Sequence, residues 1–72
     1  MKALSSIHSK FGENIKRLRR EHNMSQEELA DKINVDRSYM GFIERGERNP
    51  SLEKIIRISK TLNVTIKDLF DF

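Results

Sequence analysis

Between Ser25 and Arg45 the chain has room for two short helices and one tight turn, and for little else. Ser25-Gln26-Glu27-Glu28 is a capping box, in which the serine hydroxyl accepts from the backbone of Glu28 and the Glu28 carboxylate reaches back. It opens a helix whose inward side is Leu29, Ala30 and Ile33. Asn34 and Val35 then turn the chain, and Asp36 is the N-cap candidate of the next helix. That helix spans 36–45, and Gly46 fits the left-handed residue just past its end.

The flanking segments obey the same period. At about 100° per residue, Leu4, Ile7, Phe11, Ile15, Leu18 and His22 share one narrow face of a first helix, while Lys16, Arg17 and Arg20 fall away from it. Asn23 can end that helix in the left-handed conformation. Ser51 caps a fourth helix running to about Leu62, with Leu52, Ile55, Ile56, Ile58 and Leu62 over a wide arc. Thr65 can cap a short fifth helix carrying Ile66, Leu69 and Phe70. No segment alternates with period two for long enough to form a strand, so the expectation is an all-α chain of five helices, one domain over residues 1–72.

Composition narrows what such a chain can do. Seventy-two residues bury only about 60% of the surface of the unfolded chain, which leaves little room for an enclosed active site beside a core. The chain has no cysteine, which removes disulfides and thiolate metal sites and agrees with a reducing compartment. His8 and His22 lack any evident metal partner, so no metal and no cofactor are expected. There is no apolar run near the ~20 residues of a membrane span, nor the apolar region of a secretion signal; the expectation is a cytoplasmic protein without a membrane partner. The net charge of +3 is modest, so its placement carries more information than its size. An enzyme would need a catalytic pair, and the sequence offers no phosphate loop, Ser/His/Asp arrangement or paired carboxylates.

Helix 36–45 carries two oddities, a glycine (Gly41) near its middle and a phenylalanine (Phe42) beside it. Tyr39, Met40 and Ile43 face one way on the helical wheel; Arg37, Ser38, Gly41, Phe42 and Arg45 face the other. A corner of two short helices is a DNA-binding device when its second helix enters the major groove. Arg37 suits guanine O6 and N7, Ser38 suits base edges or phosphate, and Phe42 suits a thymine methyl. Gly41 would then allow close approach to the groove. The plainer alternatives are that Gly41 permits helix–helix packing and that Phe42 is a dimer contact or a surface residue.

The run from Ile15 through LRREHNMSQEELA, NVD and YMGFIERGERNPSLEKI resembles the Cro/CI-type, or XRE, helix–turn–helix family. DRSY…IERGERNPS also resembles the small controller proteins of restriction–modification systems. The resemblance implies a repressor-like fold of five helices that binds a palindromic operator in double-stranded DNA as a homodimer. It sets Gln26 against the DNA backbone and Arg37, Ser38 and Phe42 at base edges. It also makes Tyr39 a DNA contact, where the wheel sets Tyr39 at the edge of the core. Finally, it pairs Arg19 with Glu44 in a structural salt bridge between the first helix and the recognition helix.

Arg45, Arg48 and Asn49 stand where they can reach sugar-phosphate, with solvated loop residues as the alternative. Arg17, in the basic cluster of the first helix, is assigned to phosphate attraction, against a solvated helix face. Ile58, Leu62, Ile66, Leu69 and Phe70 exceed the needs of one small core and are expected to form the dimer interface, unless the terminal phenylalanines fold back on the core. A transcriptional regulator, repressor or activator, is the function so implied. The alternative is an antitoxin or other interaction module that grips a partner through the fourth helix and the C-terminus. No effector segment is evident, so no small-molecule ligand is expected.

Overall fold

The computed structural model describes residues 3–72. Five helices follow in order: α1 (Ser6–Glu21), α2 (Gln26–Lys32), α3 (Arg37–Glu44), α4 (Leu52–Thr61) and α5 (Ile66–Leu69). No strand occurs among the described residues.

Each helix begins and ends by local chemistry. Ser5, Ser25, Ser51 and Thr65 accept backbone N–H groups of α1, α2, α4 and α5. The boxes at Ser25 and Thr65 are closed by Glu28 and Asp68, which accept from the capping residues' own N–H groups at 2.8 and 2.9 Å. Those backbone hydrogen bonds hold both carboxyls below the ordinary carboxylate range. Asp36 is the N-cap of α3 as expected, but its side chain makes no capping hydrogen bond.

Four helices stop in one way. Asn23, Asn34 and Asn63 take φ of 53°, 61° and 53°, and Gly46 takes 75°. In every case the next residue's N–H returns to the last turn: Met24 to Arg19, Val35 to Ala30, Glu47 to Phe42 and Val64 to Ser59. This is the Schellman closure, which favours an apolar residue after the left-handed one. Met24, Val35 and Val64 fill that position and pack on the core. Glu47 breaks the pattern at the end of α3.

The core is Phe11, Ile15, Leu18, Leu29, Ala30, Ile33, Met40, Ile43, Ile58, Leu62 and Leu69. α3 packs on α1 and α2, and α4 on α2 and α5. Gly12 lets α1 touch the backbone of α3: a Cβ there would overlap the carbonyl oxygens of Ile43 and Glu44 and lie 2.7 Å from the Glu44 carbonyl carbon. Asn14, buried beside it, donates to the Asp68 and Leu69 carbonyls at 2.9 and 2.8 Å and so ties α5 to α1.

Several expectations need correction. Leu4 precedes α1 and Ile7 lies in its first turn, so neither reaches the core and both are exposed. His22 is also exposed; it caps α1, its ring Nδ1–H donating to the Leu18 carbonyl at 2.7 Å. Leu52, in the first turn of α4, is exposed as well. The expected dimer set divides. Ile58, Leu62 and Leu69 are 0% exposed, because α4 and α5 turn them into the protomer's own core, and they have no surface to offer a partner. Ile66 and Phe70 stay exposed. Phe70 does fold back, its ring 4.7 Å from that of Phe11. No helix among the described residues is long and apolar enough to cross a membrane.

Candidate nucleic-acid interface

Three side chains fix α3 relative to its neighbours. Arg19, on the side of α1 that meets α3, donates from Nε to Glu44 Oε2 at 2.7 Å and from Nη2 to Oε1 at 3.0 Å. Both side chains are almost wholly buried. Arg19 Nη1 also donates to the Met24 carbonyl at 2.9 Å. The hydrogen bond to Glu44 raises the guanidinium above its already high ordinary value, so its charge is permanent. Gln26, the first residue of α2, donates from Nε2 to Glu44 Oε1 at 3.1 Å. One carboxylate therefore locks α1, the start of α2 and the end of α3 together. The expected Arg19–Glu44 pair is present, with Gln26 as a third member.

The outward side of α3 begins with Arg37 and Ser38, both exposed in its first turn. Tyr39 is half-buried and packs against the core, as the wheel indicates. Gly41 is buried, which the wheel does not anticipate. It neither faces solvent nor holds two helices together. A Cβ there would lie 3.1 Å from Arg45 Nη1 and 3.5 Å from Gln26 Oε1, so those two side chains roof it.

Phe42 is half-buried. The guanidinium carbons of Arg45 and Arg48 each lie 5.1 Å from its ring centroid, in the range of a cation–π contact. Arg45 also donates from Nε to Glu47 Oε1 at 3.1 Å, and the Glu47 side chain is nearly buried. Asn49 is exposed on the same loop and borders a cleft of about 150 Å³ with Ile7, His8, Phe11, Pro50, Ile55 and Phe70.

Gln26, Phe42, Arg45 and Arg48 thus form one connected surface over Gly41, at the start of α2 and the end of α3. Arg17 is not part of it. It lies two residues from Arg19, about 200° around the helix, and its guanidinium bonds Glu21 at 2.7 Å and Asn14 at 2.6 Å. Arg17 thus lies apart from this surface, engaged by side chains of its own helix. Glu47 went unnoticed in the sequence, although its place after Gly46, where the other helix ends carry Met24, Val35 and Val64, is a readable signal.

A cationic, partly aromatic surface along a short helix, fixed to a preceding helix across a tight turn, defines a helix–turn–helix DNA-binding unit. The helix-turn-helix family model matches residues 15–69, and the chain belongs to this family of DNA-binding transcriptional regulators. It is 46% identical over 69 residues to Control protein C.BamHI of Bacillus amyloliquefaciens, covering 94% of this chain and 85% of that one. The restriction-modification controller protein C.AhdI from Aeromonas hydrophila superposes with a TM-score of 0.88 at 39% identity, over 92% of this chain and all of that one. The biofilm regulator SinR in complex with DNA superposes at 0.78 with 39% identity, over 85% of this chain and 98% of that one.

Proposed function

We propose that this chain, as one domain over its whole length, binds a palindromic operator as a homodimer, with α3 in the major groove, and regulates transcription from that position. The observation that carries the reading is the surface of α3. Arg37 and Ser38 stand exposed at its start, and Arg45 and Arg48 stand at its exit beside Gln26. Arg37 reads a base edge, Ser38 a base edge or phosphate, and Gln26, Arg45, Arg48 and Asn49 hold the backbone in register. Tyr39 touches DNA only at the edge of its packed ring. The likeness to C.BamHI and C.AhdI supports control of restriction–modification genes as the biological setting.

A protomer with Cα extents of 27 × 24 × 22 Å is smaller than the ~34–36 Å between half-sites one DNA turn apart. One copy therefore serves one half-site. The apolar surface available for pairing includes Leu52 and Ile56 on α4 and Ile66, Phe70 and Phe72 at the C-terminal end, with Ile7 and Ile55 on the adjoining cleft. Sedimentation at micromolar concentration should give a dimer, and a monomer throughout would refute this part.

Sites recovered from a random DNA pool provide the test of base reading. Arg37→Ala is expected to lose about 1–3 kcal/mol on the selected site and to relax specificity at one position. Equal losses on selected and random duplexes would sink the role given to Arg37.

A further inference from the structure

Phe42 and Gly41 invite an explanation that does not involve touching a base. The Arg45 guanidinium lies over Gly41, 3.1 Å from where a Cβ would stand. It is also 5.1 Å from the Phe42 ring, and its Nε is held by Glu47. Among the described residues no hydrogen bond engages its Nη1 or Nη2, which leaves that edge available. Arg48 lies at the same distance from the same ring. Glu47 meanwhile occupies the one helix-end position where an apolar residue is replaced by a carboxylate, at the foot of the helix that carries Phe42.

We propose that Phe42 is a positioning residue and not a base reader: with Gly41 and Glu47 it forms a seat for Arg45, and its ring holds Arg45 and Arg48 ready for phosphates of the DNA backbone. The inference rests on the DNA-binding reading above and adds how two of its contacts are prepared. A flexible arginine loses rotamer freedom when it meets a phosphate, at about 0.5–1.5 kcal/mol per side chain. A planar guanidinium already stacked on a ring and paired through Nε has lost much of that freedom beforehand, and it still presents its forked edge to an anion. Gly41 leaves the guanidinium its room: a Cβ there would press to 3.1 Å from Arg45 Nη1 and push it off this seat.

The test uses a duplex selected by the wild-type protein from a random pool, and an unrelated random duplex. Phe42→Leu keeps an apolar side chain and removes the ring; Phe42→Tyr keeps the ring. Phe42→Leu is expected to weaken binding about tenfold, by the same factor on both duplexes and at every single-base variant of the selected site. Phe42→Tyr should bind like wild type. In an Arg45→Ala/Arg48→Ala background, Phe42→Leu should have no further effect, because nothing remains to be positioned. Unfolding curves of each variant check that the fold is kept. A loss confined to one base pair, reproduced with the wild-type protein when thymine there is replaced by uracil, would overturn the proposal in favour of methyl reading. Full additivity with the double arginine variant would overturn it as well. If the wild-type protein enriches no sequence and binds neither duplex, the DNA-binding reading fails first and this inference falls with it.

Discussion

Gly12→Ala is expected to destabilise the protein by about 2 kcal/mol or more, even though alanine is the better helix former. Two opposing effects set the sign. In a helix interior the change from glycine to alanine is worth roughly 0.5–1 kcal/mol in the stabilising direction. Against it stands a Cβ that would overlap the carbonyl oxygens of Ile43 and Glu44. Those atoms belong to the backbone of α3, and they cannot swing aside as a side chain can. Relief requires α1 and α3 to separate, which also stretches the Arg19–Glu44 pair. Overpacking of this kind typically costs about 1–3 kcal/mol, occasionally more. A domain of this size should then melt some 10 °C lower, at about 4–8 °C per kcal/mol. Gly41→Ala supplies the contrast. Its Cβ would meet only the far ends of Arg45 and Gln26, at 3.1 and 3.5 Å, so stability should hold or rise while DNA affinity falls. Thermal unfolding of the two variants measures the difference, and equal effects on stability would contradict the backbone contact at Gly12.

The contrast between these glycines also shows where sequence reading succeeds and where it stops. Helix ends are local events, and local chemistry is written in adjacent residues. The capping box at Ser25, the caps at Ser51 and Thr65, and the stops at Asn23 and Gly46 are all found where the residues predict them. The helical period likewise places Leu29, Ala30, Ile33, Met40 and Ile43 inside. A wheel shows which residues share a face, but not which neighbour covers that face. The apolar arc of α4 was therefore divided wrongly: Ile58 and Leu62 close the protomer's own core, and Leu52 and Ile56 are left outside. Arg17 and Arg19 look alike in the sequence, yet only one of them faces α3. Gly12 is a close-packing site because of carbonyls more than thirty positions away, which no local pattern announces. Gly41 and Phe42 share a neighbour that the wheel does not show, the Arg45 guanidinium from the exit of their own helix.

The largest loss should come from Arg19→Ala. Truncation leaves Glu44 buried without its cation and removes the donor to the Met24 carbonyl. Breaking a buried pair by removing one partner costs about 3–5 kcal/mol. That is comparable to the whole stability expected of a small domain, at about 5 kcal/mol toward the low end, so Arg19→Ala should be largely unfolded near physiological temperature. Removing both charges is a different experiment. Arg19→Met combined with Glu44→Leu leaves no uncompensated charge, and apolar replacements of such pairs are often neutral or stabilising. The double variant should therefore be markedly more stable than Arg19→Ala. DNA binding need not recover with stability, because Glu44 also anchors Gln26, and Gln26 stands at the start of α2 beside Gly41 and Arg45. A double variant that is folded yet weak on selected and random duplexes alike would separate the two roles of Glu44: neutralising Arg19 inside, and holding α2 to α3 at the surface proposed to meet DNA. Urea unfolding of Arg19→Met, Glu44→Leu and their double gives the coupling energy directly. Coupling near zero would mean that the pair contributes nothing to the placement of α3, and the orienting role assigned to Arg19 and Glu44 would have to be abandoned.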